Sequence, residues 1–327
     1  MHIIVTDAEH RDVAAVENFE LDLAYGIGED PENDFELRLL DGTRLSSGCL
    51  AYIDGTPWGG VVDRMSFDTD SGDVAYQGRT WQGVLAGKVV KPPSGSEHYR
   101  MAGEAHAAIA ALISHVGLGD FATVPAEPSG FQLASDLDRF CTAWDGLVDA
   151  LGAAGARPGL RYEGGRLVVS AVPSATWGDA VDSDVIDFSG GRDWLPVNHL
   201  VCAGEGQGGE RAVVDLYADA SGVVSRVQSL FGLDERAELY SFSSADEAQL
   251  VEDGTKRLLS YQAQGELKVN VPDGTLDMEV GDRVVGREQS LGVTVEAAIV
   301  KKVVSATGAG ATVSHEAGGA AGRWEGA

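Results

Sequence analysis

Positive charge is in short supply. Against 51 Asp and Glu the 327 residues hold only 24 Lys and Arg, a formal net charge of −27 at pH 7. Phosphate contacts need clustered Lys and Arg, so this balance argues against a nucleic-acid-binding surface. It argues equally against a polybasic membrane contact. Cysteine is scarce too: Cys49, Cys141 and Cys202 are too few and too scattered for a disulfide framework or a zinc site, both of which need close pairs. An odd number of thiols fits a reducing site of synthesis. No apolar run approaches the ~20 residues that cross a bilayer. The start, Met1-His2-Ile3-Ile4-Val5-Thr6-Asp7, lacks the charged and apolar regions of a signal peptide. The expectation is a soluble protein made in the cytoplasm.

What is present points to β structure. There are 43 glycines and only 10 prolines, which suggests many tight turns. Apolar content of 44% is ordinary for a globular chain, so the acidity does not mean disorder. The length lies past the roughly 250–300 residues at which single cores stop growing, so two or three domains are expected.

Short strands with turn signals between them are predicted at 2–6, 18–23, 34–40 and 49–53, then at 61–66 and 73–77 around the turn Asp68-Thr69-Asp70-Ser71-Gly72. Pro92-Pro93 marks a boundary. From Glu97 to Val116 the alanine-rich pattern predicts a helix, and a second is predicted from Ser135, as its N-cap, to Leu151. The dipeptide Gly164-Gly165 makes a hairpin of 160–163 and 166–172. The last third returns to strands at 184–188, 197–203, 211–217, 238–242, 266–271, 283–285, 293–305 and 311–316. One helix, 244–261, interrupts them, with Ser244 and Glu247 as a capping box. The tail 318–327 is expected to fray. Segments 61–77 and 299–315 echo each other as strand, glycine turn, strand. The fold class expected is mainly β with α insertions: a first β-barrel-like domain at 1–93, a helical insertion with a β-hairpin at 94–180, and a second, related β-barrel-like domain at 181–327.

No pattern here requires catalysis. Gly204-Glu205-Gly206-Gln207-Gly208-Gly209 satisfies GxGxxG, but a dinucleotide site needs a helix next. The continuation Arg211–Tyr217 alternates like a strand, so the motif reads as a hairpin loop. The run from Asp68 to Asp73 resembles the start of a calcium loop, yet its glycine falls fifth and Arg79 stands twelfth, so it reads as a turn. Asp182-Ser183-Asp184 and Asp136-Leu137-Asp138 read as surface and helix-start carboxylates. His98, His106 and His115 lack the i, i+4 spacing of a zinc helix. No GxSxG elbow occurs. Two of the many carboxylates could form a glycosidase pair, which spacing cannot identify. The tryptophans read as packing residues, with a sugar-stacking module as the alternative.

Three stretches carry a resemblance. Tyr76–Pro93, containing Gly78-Arg79-Thr80-Trp81 and Leu85 before the proline pair, resembles a segment of the tail-hub (baseplate hub) proteins of long-tailed phages. Asn198–Gly206, running on to Arg211 and Val213–Tyr217, looks like a hairpin of that family. Val280-Gly281-Asp282-Arg283-Val284-Val285-Gly286, then 292–304, is similar to its closing barrel strands. No single motif is specific; their order along nearly the whole chain carries the likeness. It implies a non-enzymatic hub with no catalytic, cofactor or metal residues. Such a hub is a homotrimer in the virion at the distal end of the tail. Two related barrels per subunit adapt the sixfold tail tube to a threefold tip and surround the DNA ejection channel. The implied partners are the distal tail protein, the tape-measure protein, the tail tube and tip or fibre proteins. Lytic or receptor-binding functions would belong to other proteins. The rival readings are a tail-associated glycosidase or peptidase, and a carbohydrate-binding β module. Whether the Arg79/Trp81 segment serves core or interface stays open.

Overall fold

The computed structural model describes residues 1–28, 31–70, 72–178, 187–262, 265–270, 277–288 and 293–324. Ser71, the Asp182-Ser183-Asp184 pair, the strand positions 184–186 and 271, Gly292 and the last three residues of the tail lie outside them. The protein is mainly β with α-helices, and its contacts divide it into two compact units. One comprises Met1–Asp187, Val269–Glu288 and Glu296–Gly318; the other comprises Phe188–Lys268, Gln289–Val295 and Gly319–Ala327. The first unit takes in C-terminal residues because β-strand 293–307 pairs with strand 19–26 near the N-terminus.

The first unit is built on a curled eleven-stranded sheet. Its strands are β1 (Ile3–Thr6), β2 (Asp12–Val16), β3 (Phe19–Gly26), β4 (Asp34–Leu39), β5 (Leu50–Tyr52), β6 (Gly59–Phe67) and β7 (Val74–Thr80). Helix α1 (Trp81–Ala86) follows at once, then β8 (Tyr99–Glu104), α2 (Ala105–His115), β9 (Ala122–Thr123), β10 (Gln132–Leu137) and α3 (Ala143–Gly152). The hairpin of β11 (Ala156–Glu163) and β12 (Arg166–Pro173) and the short β13 (Thr176–Trp177) lead to the second unit. Next come β14 (Asp187–Arg192) and β19 (Gly265–Asn270), each mostly in that unit, and within it β15 (His199–Ala203), β16 (Val213–Ala218), β17 (Val224–Ser225), β18 (Ala237–Ser241) and α4 (Glu247–Gln262). Finally β20 (Arg283–Glu288), β21 (Val293–Thr307) and β22 (Gly310–Trp324) complete the chain. The large sheet runs β13-β20-β21-β3-β4-β7-β6-β5-β1-β2, with β22 on β21.

Alternation decides which face is buried. In β3, Phe19, Leu21 and Leu23 are buried while Glu20 and Asp22 are exposed, and Phe35, Leu37 and Leu39 do the same in β4. The antiparallel register Val304↔Leu23 and Ala306↔Leu21 locks β21 onto β3. Both hairpins of the internal echo, β6–β7 and β21–β22, therefore lie in this sheet.

Several elements correct the sequence reading. The helix expected from Glu97 begins only at Ala105, because Gly103 takes φ +92° and the Glu104 carboxylate caps α2 by accepting from the Ala107 N–H at 3.1 Å. Met101, placed on that helix by spacing, lies buried on β8. The helix expected from Ser135 begins at Ala143. Its first part is β10, paired with β8, and Thr142 rather than Ser135 is the cap, accepting from the Asp145 N–H at 3.0 Å. In α4 the cap is Asp246, whose Oδ1 accepts from the Gln249 N–H at 2.9 Å, and the helix starts at Glu247 rather than 244. β22 continues to Trp324 where fraying was expected. Strand β2 and the six-residue α1 were not anticipated; α1 is too short to show a helical period.

Candidate functional site

The Gly78–Gly83 segment is where sequence and packing agree most closely. β6 bulges between Val62 and Arg64, and β7 runs so near it that a Cβ on Gly78 would lie 1.9 Å from the Val61 carbonyl oxygen. Arg79 makes a two-pronged ion pair with Asp63, Nε to Oδ2 and Nη2 to Oδ1, both 2.8 Å. This guanidinium holds the Asp63 carboxyl below its ordinary range. Thr80 caps α1 through the Gly83 N–H at 3.1 Å, and Gly83 meets the Asn33 carbonyl where a side chain would collide. Trp81 is wholly buried and stacks on Tyr162 with ring centroids 5.3 Å apart. Trp81 thus serves the core, and Arg79 stays half-exposed beside it.

Next to Trp81, the buried Gln82 lines a cavity of about 190 Å³. Tyr25, Trp144 and Pro158 form apolar parts of its wall, and Arg157, Asp277 and Glu279 bring charge to it. Trp144 Nε1 donates to the Gly26 carbonyl at 2.9 Å, which fixes that ring. Gln82 Oε1 is buried and has no hydrogen-bond partner among the described residues.

Behind the cavity the turn at 279–282 carries an ionic bracket. Asp282 is fully buried and accepts from Arg157 Nε at 2.7 Å, the Ala175 N–H at 2.8 Å, Trp177 Nε1 at 3.1 Å and the Glu279 N–H at 3.0 Å. One carboxylate thereby ties β11, the approach to β13 and the start of β20. Gly281, at φ +96°, packs against the Arg157 side chain. Lys302 on β21 is also fully buried, with Nζ 2.5 Å from Glu279 and 3.2 Å from Asp277. The Tyr25 hydroxyl donates to the other Glu279 oxygen at 2.7 Å. Burial, with that carboxylate beside it, pushes the Tyr25 phenol well above its ordinary value. His315 donates through Nε2 to the Met278 carbonyl, and burial with the neighbouring Lys302 lowers its pKa, so it stays neutral. The VGDRVVG stretch was legible as a strand signature; that Asp282 gathers four donors was not, because those donors lie more than a hundred residues away or in its own turn.

In the second unit the four-stranded sheet β17-β16-β15-β18 is covered on one face by α4. Leu200, Cys202, Val214 and Leu216 meet Leu250 and Leu258 there. A Cβ on Gly254 would lie 2.6 Å from the Cys202 sulfur, so this glycine lets the helix seat. The other face holds Val201, Val213 and Leu239 beside His199. His199 lies between two carboxylates, Nδ1 2.6 Å from Glu235 and Nε2 2.9 Å from Asp215, and stacks on Tyr217 at 4.4 Å. Burial opposes its charged form, but these two carboxylates win, and the imidazole pKa is raised. The segment between β17 and β18 exposes Val227, Phe231 and Leu233, the last 94% accessible.

Gly204–Gly209 is the β15–β16 connection, a hairpin loop. Arg211 pins it by donating to the Gly204 and Ala203 carbonyls and to Ser241. The Asp68 turn closes β6–β7, with Gly72 at φ +77°. Asp136 and Asp138 lie at the end of β10 and beyond it, not at a helix start. His98, His106 and His115 each bond a separate backbone carbonyl, of Leu137, Glu127 and Lys91. Among the described residues no group of three His, Cys, Asp or Glu is placed to hold a metal ion, and no helix is long and apolar enough to cross a membrane.

No protein-family model matches the chain, and no curated protein does. Among solved structures it is similar to the tail protein from Neisseria meningitidis MC58, with 16% identity, 97% of this chain and 95% of that chain covered, and a TM-score of 0.48. It is likewise similar to the 43 kDa tail protein of prophage MuSo2 from Shewanella oneidensis (14% identity, 97% and 98% covered, TM-score 0.47). A third is prophage tail protein gp18 from Listeria monocytogenes EGD-e (12% identity, 97% and 94% covered, TM-score 0.47).

Proposed function

We propose that this chain is a structural subunit of a phage-type tail, a hub that assembles as a homotrimer at the distal end and surrounds the channel through which DNA leaves. The observation that carries the reading is the order of the three hub-like stretches along nearly the whole chain. Their physical content supports an assembly part: a rigid segment at Gly78–Gly83, a hairpin at Asn198–Tyr217, and a bracketed turn at Val280–Gly286. The open sheet face and the Val227–Leu233 segment add exposed apolar surface in a strongly acidic protein, which suits burial against other subunits. Closed threefold symmetry with two barrel-like parts per subunit would offer a quasi-sixfold rim to the tail tube, the distal tail protein and the tape-measure protein. Carboxylates facing the channel would repel DNA phosphates over the roughly 8–10 Å that physiological salt allows.

Mass photometry and electron cryo-microscopy of the purified chain with the products of its neighbouring genes test this. A ring of three chains around an acidic lumen is the expected result. A persistent monomer that hydrolyses peptidoglycan would overturn it in favour of an enzyme, and a basic lumen would overturn the channel role.

A further inference from the structure

The contact between Lys302 and Glu279 is unlike the surface ion pairs of this protein. Lys302 is fully buried, with Nζ 2.5 Å from Glu279 Oε1 and 3.2 Å from Asp277 Oδ1. The Glu279 side chain is itself only 15% exposed, and its second oxygen, Oε2, accepts from the Tyr25 hydroxyl at 2.7 Å. Asp277 is 90% exposed, so it meets the ammonium from the solvent side. A buried ammonium and carboxylate each lose their hydration, a cost that a neutral amide between the same side chains does not carry. Exposure sets the roles. Glu279, desolvated and held by a hydroxyl on one oxygen, is placed as an electrophile with a donor where negative charge would build. Asp277, solvated and within reach of Nζ, is placed to carry a proton. Tyr25, Asp277 and Glu279 also line the cavity of about 190 Å³, which has room for a leaving water.

The geometry points to a covalent modification: an intramolecular amide between Lys302 Nζ and Glu279 Cδ, formed by the chain itself with loss of one water. Nζ passes one proton to Glu279 Oε1 across their contact, and its freed electron pair adds to Cδ. The Tyr25 O–H donates to Oε2 as negative charge gathers there, and Asp277 Oδ1 takes a second proton from Nζ. Asp277 then returns that proton to Oε1, the Cδ–Oε1 bond breaks, and Oε1 leaves as water carrying both protons. A C–N bond replaces a C–O bond, nothing is oxidised or reduced, and the ammonium and carboxylate charges both vanish. The product ties β21 covalently to the turn that carries Asp282. Every group involved lies in the first unit, so the inference is independent of the hub reading.

Intact-mass spectrometry of the purified, folded full-length chain after overnight incubation at neutral pH tests this. The expected mass lies below that of the sequence by about 18 Da, one water. Digestion and tandem mass spectrometry are expected to give a branched peptide joining Lys302 to Glu279. A dehydrated aspartate, the cyclic succinimide, has the same deficit but reopens in mildly alkaline hydroxylamine, whereas the amide survives; a deficit that disappears there would overturn the inference. Lys302→Arg keeps a cation that cannot condense in this way and is expected to show the full sequence mass. Tyr25→Phe removes the donor to Oε2, and Asp277→Asn removes the proton carrier at an exposed position. Each is expected to slow the loss of water, timed from synthesis in a cell-free reaction, at least tenfold, the low end of what such groups contribute. The wild-type mass decides even where a variant fails to fold: the full sequence mass in the folded wild-type chain would overturn the inference. A branch through Asp277 instead of Glu279, or a rate unchanged in both variants, would overturn it too.

Discussion

At the scale of single residues, two side chains make sharp predictions. Asp282 is buried with four donors converging on it, so Asp282→Ala leaves Arg157 and Trp177 without their acceptor. Removing one partner of a buried pair costs about 3–5 kcal/mol; chemical denaturation monitored by tryptophan fluorescence is expected to show a loss of that size. His199 predicts a pH dependence. Its folded pKa is raised above 6.5, so its contribution is complete below the unfolded value and is lost as pH rises through the folded value. The melting temperature of the second unit is therefore expected to fall between pH 6 and pH 9. In His199→Asn that fall is expected to vanish, and a wild-type profile that rises with pH instead would refute the assignment. Neither role was legible in the sequence. Asp282 and His199 each sit inside a strand-like stretch, and no local spacing marks Arg157, Asp215 or Glu235 as their partners.

At the scale of elements, the β7–α1 junction is the most constrained. A Cβ on Gly78 would collide with the Val61 backbone, so Gly78→Ala must shift one strand against the other. Overpacking of this kind costs about 1–3 kcal/mol, and Thr80→Ala, which removes the α1 cap, about 1 kcal/mol. Urea midpoints are expected to rank Gly78→Ala below Thr80→Ala below the parent chain. The strands themselves were readable, since alternation such as Phe19, Leu21, Leu23 is imposed by a sheet with one buried face. The helices at 97–116 and 135–151 were overextended for a physical reason. Met101 and Leu137 are buried by a strand pair, but their spacing from the next helix happens to continue a helical period. The sign that could have corrected this was local: Gly103 and Thr142 each sit at the true boundary, one as a left-handed glycine and one as a cap.

At the scale of the whole molecule, the charge surplus makes its own prediction. With a net charge of −27, like-charge repulsion opposes the compact state. Raising salt from about 0.01 M to about 0.1 M shortens the screening length from about 30 Å to about 10 Å, so the melting temperature by circular dichroism is expected to rise. A fall would show that the surface ion pairs, such as Arg79–Asp63, outweigh the repulsion.

Composition and short-range spacing set the class of molecule: β-rich, acidic and punctuated by glycine. These follow from composition and from periods of two and 3.6 residues, which are local properties. Long-range packing alone decides that β21 pairs with β3 and that Asp282 and Lys302 are both fully buried. Those outcomes depend on contacts between residues far apart in the chain, such as Arg157 with Asp282, and no local period encodes which distant partner a side chain will meet.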